Sequence, residues 1–162
     1  MIEDNLILTK IKAISDYQFG PDITDALFTK DTDVRVIFSR NTGKIKHIFD
    51  GEKLFLNFRP NNGLFTLTFH SGQRIIANTV KPRLRVVVLN DVAEFIKKGR
   101  NVFCKHVIDI DRDLRPMDEV LIVDENDDLL AIGRLNLPID FILAFDRGVA
   151  INVRKGINKS KI

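Results

Sequence analysis

Tryptophan is absent from this chain and tyrosine occurs once, against twelve phenylalanines. Phenylalanine has no polar handle, so the aromatic content points to core packing rather than to a binding platform. The single cysteine, Cys104, excludes an internal disulfide, and the scattered His47, His70 and His106 give it no metal-ligand spacing. No apolar run approaches the roughly 20 residues that a membrane-spanning helix needs. The N-terminus mixes Glu3, Asp4, Lys10 and Lys12 with isoleucines, which is not the pattern of a signal peptide. A reducing cytoplasm is the expected setting. Glycine-rich phosphate loops and a serine elbow are missing too. Cys104 reads as a small buried thiol in mid-strand, sharing a face with His106 but with no third group to orient the pair. The run Asp109, Asp111, Asp113 fails as a calcium loop, because the positions that need glycine and glutamate hold Leu114 and Val120. No metal or cofactor is expected, and no catalytic residue.

What is present suits a soluble globular protein of one domain or two small ones: 162 residues, 44% hydrophobic and 29% charged. Ile2, Leu6, Ile7, Ile11, Ile14 and Tyr17 recur at helical spacing over residues 2–18, and Phe19-Gly20-Pro21 ends that helix. A short second helix fits 22–27. The period then changes to two, and residues 34–40, 44–49, 53–59 and 64–70 read as four strands separated by turns rich in Gly and Asn. Such short links make an antiparallel meander.

Pro82 marks the boundary between halves, because it forces the preceding residue into extended geometry. Beyond it come an apolar strand at 85–89 and a helix with Asp91 as N-cap and Glu94 three positions on, its Val92, Phe95 and Ile96 facing inward. Gly99 closes that helix. A strand at 102–109, a hairpin of 119–123 with 129–135, a helix at 138–145 and a strand at 149–154 complete the half. The expected organisation is 1–79, 80–157 and a disordered tail at 158–162.

The formal charge is only +3, yet its distribution is uneven. Lys81, Arg83, Arg85, Lys97, Lys98, Arg100 and Lys105 face only Asp91 and Glu94 in the span 81–105, and Arg154, Lys155, Lys159 and Lys161 follow near the end. Between them, nine carboxylates outnumber Arg112 and Arg115 over 109–128. That pattern favours oriented approach to a polyanion, although Lys97, Lys98 and Arg100 equally suit the solvated C-terminal end of a helix.

The series Lys98-Gly99-Arg100-Asn101-Val102-Phe103, then 114–124, Leu130-Ala131-Ile132-Gly133-Arg134 and 145–154, resembles the PUA domain, the RNA-binding module of pseudouridine synthases and archaeosine transglycosylases. Asp16-Tyr17-Gln18-Phe19-Gly20, Ala26-Leu27-Phe28, 39–45 and 59–68 are similar to the domain that precedes it in archaeal archaeosine tRNA-guanine transglycosylase and in small pre-PUA/PUA proteins. Met117 departs from the glycine common in the family, and His106 from an apolar or aromatic residue. The resemblance implies an α+β fold: an N-terminal helix packed on a small antiparallel sheet, followed by a C-terminal PUA pseudo-barrel of mixed strands with short helices. It also implies an RNA surface at Lys97, Lys98, Gly99, Arg100, Asn101, Lys105, Val153, Arg154 and Lys155, with Val102 and Phe103 either contacts or core. The catalytic barrel of the transglycosylase would lie upstream of Met1. The expectation is therefore a non-catalytic, cytoplasmic RNA-binding protein contacting tRNA or other structured RNA. The alternative is an interaction or targeting subunit of a separately encoded tRNA-modifying or translation-related enzyme.

Overall fold

The computed structural model describes residues 2–158, excepting the side chains of residues 2–4. Ile2's side chain, Lys159, Lys161 and all of the expected tail but Asn158 therefore lie outside the described residues. Two compact units are present, Met1–Thr79 and Val80–Ile162.

The first unit opens with α1 (Ile2–Phe19) and α2 (Pro21–Leu27). The buried positions of α1 are Ile11, Ser15 and Phe19, spaced by four, rather than the expected stripe. Leu6 is 69% exposed and Tyr17 86%. The inward serine is satisfied by α2, since Thr24 Oγ1 donates to Ser15 Oγ at 2.7 Å, which rotates the helix away from the purely apolar reading. An antiparallel meander follows in the order β1 (Val34–Phe38), β2 (Ile45–Asp50), β3 (Lys53–Phe58), β4 (Phe65–Leu67). The amide of Gln18 extends it, donating to the Phe65 carbonyl and accepting from the Phe65 N–H at 2.8 and 2.7 Å.

The fourth strand stops at Leu67, three residues short of its expected end, and α3 (Phe69–Asn78) begins. Thr68 and Ser71 form a reciprocal capping box there, a chemistry that alternation of apolar residues does not reveal. α3 carries a polar cluster under the sheet. His70 Nε2 lies 2.8 Å and Arg74 Nη2 2.6 Å from Asp50 Oδ2, the Asp33 N–H donates to Asp50 Oδ1 at 2.9 Å, and Arg74 also donates to Thr32 Oγ1. Burial pushes the Asp50 carboxyl up, but the His70 hydrogen bond, the Asp33 N–H and the nearby charges of Arg74 and His70 outweigh it, so its pKa falls below the usual value.

The second unit is a six-stranded mixed sheet in the order β6-β10-β9-β8-β5-β7, built from β5 (Arg85–Val88), β6 (Val102–Phe103), β7 (Val107–Ile110), β8 (Glu119–Val123), β9 (Leu129–Leu135) and β10 (Val149–Gly156). Only β5 and β8 run parallel. The expected continuous strand at 102–109 is instead two edge strands, separated by a 3₁₀ turn at Cys104–His106. β6 pairs with β10 at one edge and β7 with β5 at the other, so three residues tie the two edges together and curl the sheet nearly closed. Cys104 is buried in that turn, where burial raises its thiol pKa; it does not share a strand face with His106. The short helices are α4 (Ala93–Lys97) and α5 (Ile139–Ala144).

Asp91 does not cap α4. It sits inside a 3₁₀ turn, Asn90–Val92, and no side chain caps the helix. Asn90 instead exchanges bonds with Glu125, its N–H donating to the carboxylate at 2.9 Å and its side-chain oxygen accepting from the Glu125 N–H at 3.0 Å. Met117, expected to depart from a family glycine, has φ 77° and is 68% exposed.

Two outcomes follow. Asp50 contributes stability that is present above the ordinary carboxylate pKa, about 4, and is lost as pH falls through its lower native value. Asp50→Asn should therefore reduce stability at neutral pH and flatten the acid limb in urea unfolding across pH. Met117→Gly relieves a left-handed side chain at the cost of some backbone entropy, and should raise unfolding stability by about 0.5 kcal/mol, measured by thermal denaturation.

Candidate nucleic-acid interface

α4 is only five residues long, and only Ala93 and Ile96 of it are buried. Phe95 therefore points outward, 58% exposed, contrary to the inward position its spacing implied. The helix ends at Lys97. The Gly99 N–H donates to Ile96 O at 2.9 Å with φ 98°, a left-handed conformation that glycine adopts without strain. Arg100 then turns back with its N–H on Phe95 O, and Asn101 leads into β6.

β10 clasps this turn from beside it. The Val153 N–H donates to Asn101 Oδ1 at 2.9 Å and the Asn158 N–H to Lys97 O at 2.9 Å. Between these bonds, a Cβ on Gly156 would overlap the Lys97 carbonyl oxygen and lie 2.5 Å from the Gly99 nitrogen. The opposite side of β10 rests on Gly133, where a Cβ would meet the Asn152 carbonyl oxygen at 2.5 Å. Close backbone approach at these two glycines sets β10 directly beside the Lys97–Asn101 turn.

The expected site residues take different positions. Lys98, Arg100 and Lys105 are exposed and make no ion pair among the described residues. Lys97 pairs with Glu94 at 3.2 Å. Arg154 lies at a register irregularity of β10 and is held at 2.7 Å by the nearly buried Glu119. Lys155 is exposed, Val153 half-buried, and Asn101 serves as a backbone clasp. Val102 is fully buried core, whereas Phe103 is 45% exposed, which separates two residues that the sequence left together. Two other basic residues of the span are committed to carboxylates, Arg85 inside the core and Arg83 at its half-buried margin. Arg85 is fully buried, with Nη2 donating to Asp127 Oδ2 at 3.2 Å and Nε 2.8 Å from Oδ1, and Arg83 pairs with Asp111 at 3.1 Å.

Beside Gly99 runs an open groove of about 310 Å³, lined by Val92, Phe95, Ile96, Arg100, Asn101, Phe103 and His106. The Phe103 and His106 rings meet edge to face at 6.1 Å. Burial and the charge of Lys105 lower the His106 pKa, which leaves the ring neutral at pH 7. A floor of two phenylalanines, a neutral imidazole and an amide, rimmed by free cations, can stack a planar ring while holding an adjacent phosphate. Val92, Phe95, Ile96 and His106 are the lining residues that sequence reasoning missed, because the shortness of α4 and the 3₁₀ turn leave no periodic signal. Among the described residues no group of three or more His, Cys, Asp or Glu is placed to hold a metal ion, and no helix is long and apolar enough to cross a membrane.

Residues 9–82 match the patch-forming domain C2 of tRNA-guanine transglycosylase, and residues 84–157 match the PUA domain. The chain is 44% identical to the tRNA-guanine(15) transglycosylase of Methanobrevibacter smithii over 94% of its own length, and 41% identical to that of Thermococcus onnurineus over 92%. It spans about a quarter of the length of these curated relatives, 23% and 25%. In fold it is similar to a hypothetical protein of Pyrococcus horikoshii (TM-score 0.73, 22% identity, covering 92% of this chain and 89% of that one). It is also similar to a PUA domain structure from Aeropyrum pernix (TM-score 0.70, 15% identity, covering 94% and 82%). The expectation that the chain is not an enzyme is overturned, since the relatives that match nearly all of it are named as an enzyme, although only a part of each is matched.

Gly156→Ala should unseat the Lys97–Gly99 turn. Thermal unfolding is expected to lose about 2 kcal/mol, in the range for inserting a methyl into a packed site, with amide NMR shifts at Gly99 and Arg100 larger than those in the β8–β9 hairpin.

Proposed function

We propose that this chain, whose residues 9–82 match the patch-forming domain C2 of tRNA-guanine transglycosylase and whose residues 84–157 match the PUA domain, is the RNA-holding part of a transglycosylase-type tRNA-modifying activity, with tRNA as its RNA. The observation that carries this reading is the surface where β10 clasps the Gly99 turn. It leaves Lys98, Arg100 and Lys105 without ion pairs beside an aromatic-floored groove. Cations there neutralise phosphates and release counterions, and the glycine turn admits a backbone or a terminal nucleotide that a side chain would exclude. Phe95, Phe103 and His106 then offer faces to an unpaired base, while the stem is recognised by shape, phosphate and 2′-hydroxyl. A chain with this task works where tRNA is modified, in the cytoplasm.

A second reading, an interaction subunit that docks on a tRNA-modifying or translation-related enzyme, is favoured by one feature of the first unit. Leu6 is exposed beside a groove of about 310 Å³ lined by Asn5, Ile7, Leu8, Val34, Val36 and Phe38. Stoichiometric co-purification with a catalytic chain, lost on Leu6→Glu, would support it.

The test of the main reading is titration of tRNA, with and without its 3′ CCA, into the wild-type chain and a Lys98→Ala, Arg100→Ala, Lys105→Ala variant at several salt concentrations. The variant should bind more weakly and show a logarithmic salt slope smaller by about three, near one per lost phosphate contact. Equal affinity and slope in the two chains would refute the surface. Equal affinity for both tRNA forms would refute occupation of the groove by the 3′ end.

A further inference from the structure

We infer that the end of the four-stranded sheet carrying the β1–β2 and β3–β4 turns is a second RNA contact, made to the phosphate backbone by Arg40, Lys44, Lys46 and Arg59. The inference rests on the RNA-binding reading above and adds to it a surface in the other unit.

The two turns are built alike. In 39–44 the Ser39 N–H donates to Lys44 O at 2.7 Å and the Gly43 N–H to Ser39 O at 2.8 Å. In 59–64 the Arg59 N–H donates to Leu64 O at 2.8 Å and the Gly63 N–H to Arg59 O at 2.9 Å. A side-chain oxygen two residues before the exit caps each: Thr42 Oγ1 accepts from the Lys44 N–H at 3.3 Å, and Asn62 Oδ1 from the Leu64 N–H at 3.0 Å. Both glycines are left-handed, φ 70° and 72°, and neither has an atom within 4 Å of an added Cβ, so both turn tops are open.

Because β1, β2, β3 and β4 pair antiparallel in order, both turns lie at the same end of the sheet. Their centres are about two strand spacings, roughly 10 Å, apart. Nothing in the turn geometry needs a cation, yet Arg40, Lys44 and Arg59 stand in the turns and Lys46 just beyond, in the skipped position where Phe38 pairs with Ile45 and Ile37 with His47.

No carboxylate stands in either turn. The acids of this sheet, Asp33, Asp50 and Glu52, lie at its opposite end, where Asp33 pairs with Arg35 at 3.2 Å and Asp50 is held by His70 and Arg74. Arg40, Lys44, Lys46 and Arg59 make no ion pair among the described residues. No carboxylate of the sheet itself offsets the charge at this end, and a positive cluster of this kind attracts a polyanion. Exposed Asn41, Thr42, Asn61 and Asn62 place neutral donors among the cations, the mixture that contacts phosphate and sugar without reading bases.

The test uses the full chain and an unmodified tRNA transcript. Arg40→Ala, Lys44→Ala, Arg59→Ala should lower the slope of log affinity against log salt by about two to three. The Arg40→Gln, Lys44→Gln, Arg59→Gln set, which keeps the aliphatic stems, should do the same. Lys30→Ala with Lys53→Ala, which removes charge at the opposite end of the sheet, should keep the wild-type slope. Wild-type slope and affinity in the turn variants, while the Lys98, Arg100, Lys105 variant is weakened, would overturn this inference and leave the main reading standing. An equal loss per charge in the Lys30, Lys53 variant would overturn it as well, by showing a net-charge effect. A wild-type chain that does not bind tRNA would overturn both.

Discussion

At the end of β10 a backbone without a side chain lies against the carbonyl of Lys97 and the nitrogen of Gly99. The surface of the second unit depends on that contact. α4 has five residues and no side-chain cap, far below the length at which a helix is stable by itself, so its orientation must come from its neighbours. Ile96 and Ala93 hold its inner face, while Val153, Gly156 and Asn158 hold its exit. Two segments some fifty residues apart in sequence thus share one turn. Ordinary strand pairing across Gly133 in turn fixes the position of β10.

The same economy governs charge. Acidic residues of 109–128 do not merely balance the basic ones at a distance; they take specific partners. Asp111 receives both the Arg83 guanidinium and the Leu84 N–H, Asp127 receives the buried Arg85, and Glu119 holds Arg154. Burying Arg85 and pairing half-buried Arg83 leaves Lys98, Arg100 and Lys105 as exposed cations with no ion pair among the described residues. An arginine buried with its carboxylate contributes little field to an approaching ligand, because the pair is seen as a dipole.

Much of this was legible from residue pattern, and what was not has physical causes. The hairpins were visible because Gly43, Gly51 and Gly63 punctuate a period of two, and all three have positive φ in the structure. α3 was invisible because its start depends on a Thr68–Ser71 capping box and its inner face includes Ser71 and Gly72 rather than a row of large apolar residues. The stripe of α1 was misplaced because its inward serine finds a hydroxyl partner in α2, a tertiary fact. At the candidate surface, the basic residues and Gly99 could be read directly. Phe95 could not, since three apolar positions at helical spacing look the same whether a helix has five residues or fifteen. The break at Cys104–His106 was likewise hidden, because an apolar run is compatible with one strand or with two on opposite edges.

That break has a consequence for the life of the protein at high concentration. An open six-stranded sheet exposes two unpaired ladders, each a template on which another chain can add a strand. Here the two candidate edges are β6, two residues long, and β7, four residues long, joined through one tight turn. Their shortness and mutual tethering leave little room for a foreign strand to align. The sheet is protected from edge-to-edge growth by its own covalent connection, without a row of charged residues devoted to that purpose.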